Sequence, residues 1–172
     1  MLMAPLVRRS WSPRGETPLF YQRTRSHQKV SVIAALCVPP TRDDVHLYFR
    51  LHPNANVNAN AVINFLDVLL QQLPGPIALV WDRLQAHRAK ITRQFLEGHA
   101  RLHPNFLPPY APELNPVENV WSYLKMNPLA NFAPLDLDTL LHTTRHHGRS
   151  LQRKHNLLRS FMAHCPLSLR IR

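Results

Sequence analysis

The chain has 172 residues, 45% of them hydrophobic and 18% charged, which suits one globular domain with a real core and excludes a disordered chain. Lys and Arg number 21 against 10 Asp and Glu, so the net charge is +11 and favours a polyanionic partner, of which nucleic acid is the usual one. No apolar run reaches the roughly 18 residues of a membrane helix, and Cys37 and Cys165 are too few and too far apart for a disulfide framework.

Residues 1–28 are polar, basic and broken by Pro5, Pro13, Gly15 and Pro18, which reads as a loop or hairpin. Arg8, Arg9 and Arg14 interrupt this stretch, no leader-like apolar core is visible, and a cytoplasmic location is expected by default. Lys29–Val38 is rich in β-branched and small apolar residues and stops at Pro39-Pro40, as a strand does. Thr41–Asp44 reads as a turn, and Val45–Leu51 as a second strand, antiparallel to the first because the link is short. Asn58 or Asn60 then caps a helix whose Val62, Phe65, Leu66, Leu69 and Leu70 recur at helical spacing. Pro76–Trp81 is a continuous apolar run, which predicts a strand buried on both faces, and Asp82 stands where it ends. A second helix is expected from Arg88 to Glu97 with Ile91, Phe95 and Leu96 inward, and a short strand over Leu102–Leu107. Asn115-Pro116 opens a third helix with Val117, Val120, Trp121 and Leu124 as its core-facing stripe. One or two basic helices fill 136–163. The tail from Arg145 to Arg172 carries seven Arg and Lys residues and no acid, which suits contact with phosphates. The order of elements predicts an α/β fold with a mixed sheet.

Two carboxylates stand out by position. Asp82 ends a strand, where open α/β sheets place ligand sites. Glu118 follows a Pro-rich loop in the first turn of a helix. Together they offer oxygen ligands to a hard cation such as Mg²⁺, and paired ions of that kind serve phosphodiester chemistry. Each residue also has a structural reading. Asn115-Pro116-Val117-Glu118 is a capping-box arrangement in which Glu118 reaches back to the N-cap, and Asp82 followed by Arg83 is compatible with a salt-bridged strand end. The eleven histidines show no trustworthy ligand spacing, His146 and His147 would fall on different sides of a helix, and no structural metal site is expected from them.

Three segments carry a resemblance. Phe106–Lys125, "FLPPYAPELNPVENVWSYLK", closely resembles the third-carboxylate motif of the IS630/Tc1/mariner superfamily of DDE transposases, with Ala111 and Val117 at positions where Ser and Ile are usual. Leu79–Lys90, "LVWDRLQAHRAK", resembles the second-Asp motif of the IS630 type, in which His follows Asp by five residues. Trp11–Pro18, "WSPRGETP", is a weaker match to a stretch after the family's first strand. The resemblance implies an RNase H-like mixed sheet flanked by helices, incomplete with its first strand largely missing, over residues 1–130 as a partial catalytic domain; residues 131–172, family-like only in composition, are expected to form a basic helical extension. It implies DNA cleavage and strand transfer with Mg²⁺ or Mn²⁺, acting on DNA ends and target, with a homodimer possible. It makes Asp82 and Glu118 the second and third catalytic carboxylates and metal ligands. Asn115 and Pro116 shape the turn that aims Glu118, Trp121 anchors the helix, and His87, Arg88 and Lys125 stand near DNA phosphates.

The sequence departs from the family at its start. The first catalytic Asp would precede the stretch matching Leu6–Pro18, and no residue here fills that place, because Asp43 and Asp44 follow the wrong strand. The expectation is therefore a site short of one carboxylate and no strand transfer by this chain alone. The alternative is a non-catalytic remnant that binds DNA or oligomerises.

Overall fold

The structure, a computed structural model, describes residues 1, 3, 6–17, 19 and 28–167. Pro5 and Pro18, and Arg170 and Arg172 of the basic tail, lie outside the described residues. Residues 6–17 form neither helix nor strand, and a turn at Arg14-Gly15 lets Gly15 take a left-handed φ of 91°.

Strands β1 (Val30–Cys37) and β2 (His46–Pro53) pair antiparallel, with Val30 opposite Pro53 and Cys37 opposite His46. The link between them turns where Arg42 N–H reaches Pro39 O at 2.9 Å. Successive side chains on a strand point to opposite faces, and here both faces find helices. Ala34, Leu36, Leu47 and Phe49 pack with the C-terminal helices, whereas Ile33, Ala35, Cys37 and Tyr48 pack under helix α1 (Ala59–Gln72). Of the two candidate caps Asn58 is the one used, its side chain accepting from Ala61 N–H at 2.9 Å, while Asn60 lies inside α1, and Val62, Phe65, Leu66 and Leu69 are buried.

Strand β3 (Ile77–Trp81) pairs in parallel with β4 (Leu102–Phe106), joined through the helical segment between them. Among the described residues the strands form two separate two-stranded sheets, bridged by the core beneath α1. The two-sided burial expected of β3 is not found. Ile77, Leu79 and Trp81 face the core, but Val80 is 48% exposed, because helices cover one face only.

The single helix expected over 88–97 is two, α2 (Gln85–Arg88) and α3 (Lys90–Glu97). Ala89 breaks the run with ψ of 147°, and the buried Thr92 hydroxyl donates to Ala86 O at 2.7 Å, satisfying a carbonyl the break would orphan. The break turns α3 so that Thr92 and Leu96 are inward and Ile91 is exposed, contrary to the periodicity. A 3₁₀ turn at Pro112–Leu114 precedes α4 (Val117–Met126), where Val120 and Leu124 are buried and Trp121 is half-buried against the same core.

Two helices, α5 (Leu137–Gln152) and α6 (His155–Ala163), occupy the basic C-terminal part. Leu151, Leu158, Phe161 and Met162 share a core with Val45, Leu47, Val120 and Leu124, and Leu140 joins a smaller one with Met3 and Val30. The inward face of α5 is Leu140, Thr144, Gly148 and Leu151, spaced by helical turns. Gly148 lets α5 approach β2, since a Cβ there would stand 2.6 Å from Cζ of Phe49. None of the described helices is long and apolar enough to cross a membrane.

Two predictions follow from this packing. Gly148→Val should force α5 off Phe49 and cost about 1–3 kcal/mol, read as a lower urea midpoint with unchanged slope; a wild-type midpoint would mean that the approach is not tight. Burial pushes the Cys37 thiol up to about 11, so it stays protonated at neutral pH. Iodoacetamide should therefore modify Cys37 slowly in the native chain and rapidly in urea, as followed by peptide mass.

Candidate catalytic cleft

Parallel pairing sets Trp81 opposite Phe106, so both chains leave the sheet at the same edge. Leu107 N–H continues the ladder to Trp81 O at 2.8 Å. Asp82 follows the first strand and the loop 107–116 follows the second, and the two wall an open cleft of roughly 410 Å³. Asp82, Arg83, Arg88, Tyr110, Asn115 and Glu118 all line it. The two carboxylates singled out from the sequence thus meet in one cavity although 35 residues separate them.

Asp82 is held by local bonds. Its Oδ1 accepts from Leu84 N–H at 2.9 Å and lies 2.8 Å from His87 Nδ1. Nδ1 also lies 3.2 Å from the Asp82 carbonyl oxygen, and the imidazole stacks on Trp81 with centroids 4.4 Å apart. A ring fixed on both sides in this way orients the carboxylate it bonds, and the five-residue spacing from Asp82 to His87 is the length of the turn that brings the ring back. Both contacts fall on Oδ1, leaving Oδ2 without a hydrogen bond among the described residues. The salt bridge considered for Arg83 is absent among the described residues. Its Nε donates to Leu107 O at 3.1 Å, and its guanidinium lies 5.9 Å from the Phe106 ring centroid.

Glu118 reaches the cleft through the turn before α4. Asn115 Oδ1 accepts from Val117 N–H at 3.2 Å and its carbonyl accepts from Glu118 N–H at 3.0 Å, while Pro116 has helical φ and ψ. Asn115 and Pro116 thereby act as N-cap and first helical residue, one position before the assigned start. The other half of a capping box is missing. Asn115 N–H donates to Pro112 O at 3.0 Å in the 3₁₀ turn, so it is not available to Glu118. The Glu118 side chain is exposed and makes no hydrogen bond or ion pair among the described residues.

Arg88 lines the cleft as the last residue of α2. Lys125 does not; it lies in the last turn of α4, seven residues beyond Glu118 or about 10 Å along the axis. Sequence reasoning missed Tyr110. It is fully exposed on the cleft wall with φ of 58°, a backbone conformation that bulky residues rarely adopt. Its place in the matched motif, between Pro108-Pro109 and Pro112, is the signal that could have marked it, since rigid neighbours can hold a strained residue in place.

Comparison with known proteins places the family and the fold. A family model described as DDE superfamily endonuclease matches residues 3–141. The chain belongs to the DDE superfamily endonucleases. A segment of 36 residues, 21% of this chain and 27% of the relative, is 53% identical to the uncharacterized protein y4pE/y4sA of Sinorhizobium fredii (strain NBRC 101917 / NGR234). The fold resembles that in the crystal structure of the Mos1 mariner paired end complex with Mn, with a TM-score of 0.67 at 16% identity, over 98% of this chain and 50% of that one. It also resembles the Mos1 strand transfer complex, with a TM-score of 0.61 at 19% identity, over 94% and 48% of the two chains. The DDE endonuclease chain thus has the RNase H-like α/β fold expected of it and spans about half the length of these solved chains.

The bonding at α4 predicts a contrast. Asn115→Ala should destabilise the chain by about 1 kcal/mol through the lost cap. Glu118→Gln should cost less than about half that in moderate salt, where the helix-dipole contribution is screened. Paired urea titrations check this, and a Glu118→Gln loss as large as that of Asn115→Ala would restore the capping role.

Proposed function

We propose that this DDE endonuclease chain is catalytic machinery of an IS630/Tc1/mariner-type transposase, which cleaves DNA ends and transfers them to target DNA. The observation that carries the reading is the meeting of Asp82 and Glu118 in one cleft, with Glu118 released from its local capping partner. The Mos1 likenesses, a paired end complex with Mn and a strand transfer complex, support the same direction.

The donor set fits a hard divalent cation. Both acids offer oxygen, and one Asp82 oxygen and the Glu118 carboxylate have no competing hydrogen bond among the described residues. Asp82 and Glu118 would hold Mg²⁺ or Mn²⁺, which when bound lowers the pKa of an attacking water and offsets charge on the phosphoryl group. The chain's own groups do the positioning. His87 keeps Asp82 in one orientation, and Asn115 with Pro116 aims Glu118. Arg83 and Arg88 bring positive charge to the cleft wall, where a phosphodiester would lie. Tyr110 presents an exposed ring on which an unpaired base can stack. DNA ends and target are the partners, and two copies of the chain acting on paired ends are the expected assembly.

One observation favours a second reading. Two carboxylates line the cleft among the described residues, whereas the resemblance calls for three. Alignment of ions supplies most of the catalysis in phosphoryl transfer, so a two-carboxylate site should hold metal weakly. DNA binding with little or no strand transfer by this chain alone is the corresponding behaviour.

The two readings separate in one assay. A labelled terminal repeat is incubated with the chain and Mg²⁺ or Mn²⁺, and cleavage is compared with Asp82→Asn and Glu118→Gln. Cleavage lost in both variants supports the catalytic reading; cleavage unchanged in both removes the proposed site. Binding without cleavage supports the second. In the binding arm, Arg83→Ala and Arg88→Ala should each reduce the slope of log affinity against log salt by about one.

A further inference from the structure

A second group of metal-ligating side chains lies away from the cleft. Asp44 ends the turn before β2, His46 opens β2, and His155 opens α6. One donor atom from each lies within 4.8 Å of the other two. The Asp44 carboxylate is oriented from behind, with Oδ1 accepting from Val45 N–H at 2.7 Å, and Val45 itself is fully buried. His155 Nδ1 stands 2.9 Å from Asp44 Oδ2, and His46 Nε2 stands 3.9 Å from the same oxygen. The two imidazoles meet edge to face with centroids 6.0 Å apart, so their nitrogens approach without the rings colliding. Both histidines are about half exposed, which leaves their rotamers free to close on an ion.

We propose that Asp44, His46 and His155 form a binding site for a borderline transition-metal ion such as Zn²⁺, clipping α6 to the start of β2. Two imidazole nitrogens and one carboxylate oxygen are the three-ligand set of many zinc sites, with water completing the tetrahedron. The same set disfavours Mg²⁺, which prefers oxygen ligands. Tetrahedral ligands at about 2.0–2.2 Å from the ion lie about 3.4 Å apart. The histidine nitrogens therefore need to move by only about an ångström, and the ion takes the place of the hydrogen bond between His155 Nδ1 and the Asp44 carboxylate. The neighbouring contacts already hold the seam together. Arg159 donates to Asp43 O at 2.7 Å, and Gln152 Nε2 donates to Leu47 O at 2.7 Å. The ion would reinforce the docking of α6, whose Leu158, Phe161 and Met162 belong to the core around Val120 and Leu124 of α4. This site is separate from the cleft and does not depend on the proposed transposase activity.

The test uses the metal-stripped full chain carrying Asp82→Asn and Glu118→Gln, so that the cleft does not contribute. Calorimetric titration with Zn²⁺, and the visible spectrum with Co²⁺, should show one equivalent bound with tetrahedral character, undiminished by excess Mg²⁺. The thermal midpoint should rise with Zn²⁺. His46→Ala and His155→Gln, both at exposed positions and each checked for native circular dichroism, should weaken binding by more than about tenfold and abolish the thermal shift. Zn²⁺ bound equally well by both variants would place the ion at other histidines and overturn the proposal. Absence of stoichiometric binding to the parent chain would also overturn it, leaving Asp44 and His155 as a hydrogen-bonded pair only.

Discussion

The parallel pairing of β3 with β4 is the constraint on which the candidate site depends. It sets Trp81 beside Phe106 and brings the two chains out at one edge. Parallel strands need a crossover, and α2 and α3 supply it within the segment from Gln85 to Glu97. The crossover does more than connect. Its first turn returns His87 to Asp82, and its break at Ala89 leaves Arg88 on the cleft wall. A different register would move Asp82 relative to the loop that leads to Glu118, and the cavity would lose one of its acids.

The loop 107–116 is the second determinant. Pro108, Pro109, Pro112 and Pro116 limit its conformations, and Tyr110 is held at positive φ between them. The bond from Asn115 N–H to Pro112 O removes the donor that Glu118 would otherwise engage. A local hydrogen bond within a 3₁₀ turn thus leaves the Glu118 carboxylate without a hydrogen bond among the described residues. That freedom has an energetic cost, since an unpaired acid at a helix start contributes little stability beyond its interaction with the helix dipole. Such a residue is better explained by what it can bind than by what it holds together.

The core explains why the basic C-terminal helices belong to the same body as the sheet. The β1–β2 pair is covered on both faces, by α1 on one side and by the α4–α6 layer on the other. Gly148 permits the close approach of α5, and Gln152 and Arg159 bond back to the β2 region. The positive charge of this part is thereby carried on a packed layer and not on a loose tail, at least as far as residue 167.

Much was legible in the sequence because it rests on short-range rules. β-Branched runs ended by prolines marked the strands, Asn58 and Asn115 marked helix starts, and the motif around Glu118 pointed to the family and its RNase H-like fold. Local pattern was insufficient wherever a residue's environment comes from distant parts of the chain. The apolar run of β3 did not reveal that only one face would be covered, and helical periodicity through residue 89 did not reveal the break that exposes Ile91. The capping-box pattern could not show that Asn115 N–H was already committed to Pro112. The histidine spacing gave no sign of a ligand set, because Asp44 and His155 are 111 residues apart and meet only when α6 docks on β2. The sequence by itself determined which segments become strands and helices, and which acids end them. Tertiary structure alone decided which of those acids and imidazoles come close together, because hydrogen-bond partners and burial are set by packing between segments far apart in the chain.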